Sequence, residues 1–189
     1  MPYFMEPQPD FQHDTIPTLL TGRLILRPFA LTDGPTVREL AGNIKVAENT
    51  LNMPHPYPAG AAEDWIANHT EEFTAKRNLI LAICRKDDSV LVGCIGLQLN
   101  LVVGNAELGY WIGEPYWKQG FATEAAKEMI RYGFKKLGLH KIYAHVYITN
   151  PASAKVLRKC GMKQEGYLEK HVRHWGNYKD LLVFGITSV

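Results

Sequence analysis

The chain has 189 residues, 46% of them hydrophobic and 21% charged, the proportions of one ordinary globular domain. A chain of this length buries roughly 70% of its unfolded surface, so the fold needs neither a disulfide nor a metal staple. A formal net charge of +2, from 21 Lys and Arg against 19 Asp and Glu, argues against a nucleic-acid binder and still permits a local basic site for phosphate.

Residues 1–20 hold four of the eleven prolines and no periodic pattern, and read as an extended arm ahead of a domain spanning 21–189. No basic run followed by an apolar core opens the chain, so no signal peptide is expected. "TGRLILRPF" is a strand that Pro28 ends, and "LTDGPTVRELAGNI" a short helix with Val37, Leu40 and Ile44 at helical spacing. Pro54, Pro56 and Pro58 around His55 and Tyr57 make 45–60 a loop. From Ala61 to Lys76 a helix presents Ala62, Trp65, Ile66, His69 and Phe73 on one face.

"LILAICR" and "VLVGCIGLQL" are strands joined by a hairpin at Lys86-Asp87-Asp88-Ser89, and "AELGYWIG" is the next strand. The apolar stretch "VLVGCIGL", the longest in the chain, is interrupted by two glycines and far too short to span a bilayer. Cys84, Cys94 and Cys160 show no metal-like or redox spacing and read as buried thiols in a reducing, cytoplasmic setting. A long helix over 121–137 follows, with Ala122, Ala126, Met129, Gly133 and Leu137 as its stripe and Gly138 as its C-terminal cap. "HKIYAHVYI" is a strand with Ile142, Ala144 and Val146 on one face. "NPASAKVLRKCG" is a helix capped by Asn150, opened by Pro151 and ended by Gly161. "MKQEGYLEKHV" and "YKDLLVFGIT" close the chain as two antiparallel strands around a Trp175-Gly176 turn. This order predicts an α/β fold, a mixed sheet with helices on its faces.

The stretch "EPYWKQGFATEA" stands out. The chain leaves a strand, turns through Lys118-Gln119-Gly120 and enters a helix without Ser, Thr, Asp or Asn at its start. The first N–H groups of a helix need acceptors, and an anion at the positive end of the helix dipole is one way to supply them. A glycine at a strand–helix turn is also a common structural device. Neither a Walker loop nor a Rossmann G-x-G-x-x-G is present.

"AELGYWIGEPYWKQGFATEA" followed by "NPASAKVLRKCGM" resembles the GNAT superfamily of N-acetyltransferases, most of all the branch that modifies ribosomal-protein N-termini. "TGRLILRPF" and "GNYKDLLVFGI" are similar to the opening and closing strands of that branch, so the resemblance spans about 21–189. It implies a mostly antiparallel twisted sheet, splayed between its fourth and fifth strands, with acetyl-CoA as co-substrate in the gap. Lys118, Gln119, Gly120, Phe121, Ala122 and Thr123 would hold the pyrophosphate through their amides, and Tyr110, Trp111 and Ile112 would pair with the pantetheine arm. Trp117 stands where many members have Arg or Gln.

The resemblance also implies Glu107 as the base, often through water, against a plain reading as a solvated strand residue. Asn150, a helix cap on pattern alone, would also bond the pantetheine. Ser153 would relay a proton to the thioester sulfur and touch the cofactor, because Leu157 occupies the place where many relatives carry an acidic tyrosine. Amide formation needs the ammonium to lose a proton, donors for the oxyanion and a proton for the departing thiolate, and no metal. His171-x-x-His174 lacks a third ligand in sequence reach and does not read as a metal site.

A carboxylate is a poor base for a lysine and an adequate one for an α-amine. The expected reaction is therefore acetyl transfer to a primary amine, a protein or peptide N-terminus first, by direct attack in a ternary complex. Small amines such as polyamines, amino sugars or amino acids are the alternative acceptors, and a non-catalytic acyl-CoA-binding domain is the alternative class. No nucleic-acid or membrane partner is expected, and the chain is read as a monomer or homodimer.

Overall fold

The computed structural model describes residues 15–188. Its first half runs β1 (Leu19–Leu20), β2 (Leu24–Arg27), α1 (Gly34–Ala41), α2 (Ile44–Ala47), α3 (Ala61–Ala67) and α4 (His69–Thr74). Three strands follow, β3 (Asn78–Arg85), β4 (Leu91–Asn100) and β5 (Asn105–Ile112), and then α5 (Phe121–Lys136). The chain ends in β6 (Lys141–Tyr147), α6 (Pro151–Lys159), β7 (Lys163–His174) and β8 (Asn177–Thr187). One 8-stranded sheet has the order β1-β2-β3-β4-β5-β6-β8-β7. Every neighbouring pair is antiparallel except β5–β6.

That parallel pair creates the opening on which function depends. It holds only from Asn105↔Lys141 through Glu107↔Tyr143. Beyond it β5 stays paired to β4 as far as Ile112, and β6 to β8 as far as Tyr147, so the two strands part and Leu108–Ile112 keeps an unpaired edge. The splay falls between the two strands expected, now numbered β5 and β6 because Leu19–Leu20 adds a short strand at the sheet edge. Leu19 is buried there, which ties the end of the predicted arm to the domain; residues 1–14 lie outside the described part.

Strand alternation sorts side chains onto two faces. Ala106, Leu108 and Ile112 of β5 and Ile142, Ala144 and Val146 of β6 join Ala125, Ala126, Met129 and Ile130 of α5 and Ala154 and Leu157 of α6 in the larger core. Trp111 faces the other way, packing with Val37 and Leu40 of α1, Ala62 and Ile66 of α3 and Cys94 of β4. Glu107, Tyr143 and His145 share the face of Trp111 by the same period of two.

Two helices differ from their predicted spans. The first breaks at Gly42, and Asn43 starts the short α2 by accepting from the Lys45 amide at 2.9 Å, inside the stretch read as loop. The second divides into α3 and α4 at Asn68, whose Nδ2 donates back to the Asp64 carbonyl at 2.8 Å. Both breaks sit at residues whose short amide side chains compete for backbone groups. The remaining landmarks match. Gly138 (φ +63°) follows α5, Gly161 (φ +88°) follows α6, and Trp175-Gly176 turns with both φ positive, as a two-residue hairpin requires. Cys84 and Cys94 are buried, whereas Cys160 is only half-buried, its thiol donating to the Thr123 carbonyl at 3.7 Å.

His69 is 5% exposed, lies against Trp65 and Phe29, and neither ring nitrogen has a hydrogen-bond partner among the described residues. Burial lowers its titration from 6.5 to about 4, with Glu72 opposing. The unfolded chain therefore takes up this proton first as pH falls, so stability is expected to decline between about pH 6.5 and 4, by on the order of 3 kcal/mol. Urea unfolding of His69→Phe should lack that component of the slope.

Candidate active site

The end of β5 is clamped from below. The Gly113 amide donates to the Val92 carbonyl at 2.9 Å, and the Trp117 indole Nε1 donates to the Ile112 carbonyl at 2.6 Å. Trp117, where Arg or Gln is common, thus fixes the strand that the resemblance assigns to the pantetheine. Between them, a single 3-10 turn at Glu114–Tyr116 is held to α2 by Glu114, which accepts from Asn43 Nδ2 at 2.8 Å and pairs with Lys45.

The turn into α5 has the geometry of an anion cradle. Lys118 (φ +62°) and Gly120 (φ +84°) both adopt left-handed conformations, which turn successive N–H groups the same way. The Trp117 amide donates to Glu114 and the Glu124 amide to Gly120, each at 3.1 Å. The amides of Lys118, Gln119, Gly120, Phe121, Ala122 and Thr123 between them have no protein acceptor among the described residues, and no side chain caps the helix. Glu124 does not serve them. It accepts from Thr21 Oγ1 at 2.6 Å, the Arg23 amide at 2.8 Å and Arg23 Nε at 2.8 Å, tying the start of β2 to α5. Burial raises the Glu124 carboxyl, but those donors outweigh it and hold it below the ordinary range. Arg23 Nη1 in turn donates to the Gln119 carbonyl at 3.0 Å, and its guanidinium lies 5.0 Å above the Phe121 ring.

On the far side of the seam Asn150 Oδ1 accepts from the Ser153 amide at 3.0 Å, the predicted cap, and Asn150 Nδ2 has no partner among the described residues. Ser153 Oγ lies 2.8 Å from the Tyr110 hydroxyl. Burial drives the Tyr110 phenol far above its usual titration, only partly offset by Ser153, so it keeps its proton. Leu157 is fully buried in the larger core and offers no chemistry. Burial raises the Cys160 thiol to about 11, with Lys127 opposing, which leaves it protonated and unreactive near neutrality.

On the opposite face Glu107 Oε1 accepts from His145 Nδ1 at 2.8 Å, across the point where β5 and β6 part. His145 is absent from the residues singled out in the sequence. Past it the hairpin of β7 and β8 closes over the same face. The His174 ring stacks on Trp175 at 4.5 Å and lies 5.6 Å from Tyr147, while His55 lies 5.7 Å from Trp175. Among the described residues no group of three or more His, Cys, Asp or Glu side chains could hold a metal ion. No helix of the described residues is long and apolar enough to cross a membrane.

A family model described as an acetyltransferase (GNAT) domain matches residues 23–163. The chain belongs to the GNAT acetyltransferases. It is an N-acetyltransferase that draws its acetyl group from acetyl-CoA. An uncharacterized N-acetyltransferase of Bacillus subtilis, YoaA, is 32% identical over 91% of this chain and 97% of its own. The spermidine N(1)-acetyltransferase of Vibrio cholerae is 28% identical over 86% of this chain and 91% of its own. The solved ribosomal-protein α-N-acetyltransferase RimL, in complex with coenzyme A, superposes with a TM-score of 0.82 at 16% identity, over 91% of this chain and 97% of that one. The eight-stranded, mostly antiparallel sheet with its parallel β5–β6 pair is thus a GNAT fold.

Proposed function

We propose that this GNAT enzyme acetylates the α-amine of a peptide or protein N-terminus by direct attack in a ternary complex. The observation that carries the acetyl-transfer reading is the unpaired β5 edge, followed after the Glu114–Tyr116 turn by six amides with no protein acceptor among the described residues. Acetyl-CoA supplies the activated acetyl thioester when bound. The amides of Lys118 through Thr123 hold its pyrophosphate, backbone groups of Tyr110–Ile112 pair with its pantetheine arm, and the free Asn150 Nδ2 gives that arm a further donor. A β5 amide near Trp111 or Ile112 stabilises the oxyanion. The Tyr110–Ser153 hydroxyl pair gives the leaving sulfur its proton, and Glu107 serves the removal of the amine proton.

The character of the acceptor face favours an α-amine. The accessible side chains around it are Tyr143, His145 and His171, with Trp175 on the hairpin beyond, and Glu107 is already paired to an imidazole. A polycation would call for several free carboxylates. The likeness to a spermidine acetyltransferase at 28% identity supports polyamine as the second reading.

Thiol release from acetyl-CoA, measured against peptides with different N-termini and against spermidine, amino sugars and amino acids, tests the choice. A peptide is expected to exceed spermidine in kcat/KM by about tenfold or more, a difference of about 1.4 kcal/mol. Intersecting initial-rate lines are expected for direct attack, and parallel lines would contradict it. A clear preference for spermidine transfers the function to small amines.

A further inference from the structure

Glu107 and His145 meet where β5 and β6 separate, and their hydrogen bond dictates a division of labour. A carboxylate oxygen only accepts, so the neutral imidazole must carry its proton on Nδ1 and donate it to Glu107 Oε1 at 2.8 Å. That leaves the Nε2 lone pair. Nε2 has no protein hydrogen-bond partner among the described residues and is not among the buried polar atoms, so it is open to a ligand or a water. The ring is also braced. Tyr143 from the same strand meets it edge-on at 5.6 Å, and His171 from β7 stacks on it at 6.3 Å with 26° between planes.

We propose that His145 Nε2 is the atom that takes the amine proton, with Glu107 as the positioning residue that sets its tautomer and steadies the imidazolium. This rests on the acetyl-transfer reading and changes the occupant of one role within it. An imidazole is matched to proton transfer near neutral pH, whereas a carboxylate starts two pH units or so too low. As the amine nitrogen forms its bond to the acetyl carbon, its proton moves to Nε2. The C–S bond breaks with its electron pair going to sulfur, which receives a proton from the Tyr110–Ser153 hydroxyls. Solvent restores that hydroxyl proton and accepts the one held on His145, so an amide and a free thiol leave with no net change in the enzyme. The titratable groups around the imidazole are Glu107 from β5, Tyr143 from β6 and His171 from β7.

The first test needs no acceptor. In ¹⁵N-histidine spectra of the free protein at alkaline pH, His145 is expected as the Nδ1–H tautomer, and Glu107→Gln should shift it toward the Nε2–H form. A neutral Nε2–H tautomer in the wild type overturns the proposal. The second uses a hexapeptide with a free N-terminal serine, and spermidine, as probes across pH 5.5–9. His145→Gln is expected to lose about 100-fold in kcat/KM, to flatten the pH–rate profile that the wild type shows across this range, and to leave CoA affinity unchanged. Added imidazole should restore part of the rate of His145→Ala and none of that of Glu107→Ala. If His145→Gln keeps its rate within about threefold while Glu107→Gln loses about 100-fold, the carboxylate itself is the base and the proposal fails alone. If both variants keep wild-type rates, the base reading under the proposed function falls with it.

Discussion

Gly120→Asp is expected to abolish useful CoA binding while leaving the fold intact. Gly120 sits at φ +84°, a conformation costing a non-glycine residue about 1 kcal/mol, and Asp is among the residues that adopt it most readily. A Cβ there meets only the flexible end of Arg23, at 3.4 Å. The new carboxylate also lies at the positive end of the α5 dipole, returning about 0.3–1 kcal/mol. The two nearly cancel, so the melting temperature should move by no more than about 3 °C. Binding behaves otherwise. The carboxylate competes for the open amides and repels the pyrophosphate, and two unit charges about 4 Å apart at an effective dielectric near 20 interact by about 4 kcal/mol, so the Kd should rise at least about 100-fold. Gly120→Asn keeps the geometry without the charge and should lose about tenfold. Calorimetric titration with CoA beside thermal melts reads both quantities. Wild-type affinity in Gly120→Asp would mean that the diphosphate is gripped elsewhere.

Much of this site was legible because it is written in local, contiguous signals. "WKQGFA" shows a helix entrance without a cap, and those amides have no protein acceptor among the described residues. Asn150, Pro151 and Gly161 bracket α6 as pattern alone suggested. The misses share a different physics. Leu19–Leu20 is a strand only because β2 lies beside it, and two residues carry no periodicity to read. Gly42–Asn43 and Asn68 break helices whose apolar stripes continue across the break, so the stripe hides the boundary.

His145 was missed because its partner is 38 residues away and comes within reach only through the parallel pairing of β5 and β6. A signal did exist. In "HKIYAHVYI" the Ile-Ala-Val stripe covers one face of a strand in the middle of the sheet, and Tyr143, His145 and Tyr147 fall together on the other, half-buried to buried. A histidine there has to find a polar partner or a ligand, a stronger statement than the solvated face that strict alternation suggests.

Gly93→Ala is expected to weaken both the fold and CoA binding, and comparison with Gly96→Ala shows why the two losses should travel together. A Cβ on Gly93 would lie 2.3 Å from the Trp111 carbonyl oxygen and 3.1 Å from the Ile112 Cα. Those are backbone atoms of the β5 end that Gly113 and Trp117 clamp in place, so no side-chain rotation relieves the clash. Overpacking of this kind costs about 1–3 kcal/mol, and at about 2–4 °C per kcal/mol the melting temperature should fall by roughly 5–10 °C. Relief by pushing β5 outward narrows the seam and moves the Tyr110–Ile112 edge away from the pantetheine, so CoA affinity should fall about tenfold or more at a temperature where the variant is still folded. Gly96 faces the other neighbour. Its Cβ would meet the Leu79 carbonyl on β3 at 3.1 Å, a milder contact directed away from β5. Gly96→Ala should therefore lose a smaller part of the stability and bind CoA as the wild type does. Equal CoA affinity in both variants would separate the β5 edge from cofactor binding and leave the turn amides as the whole of the grip.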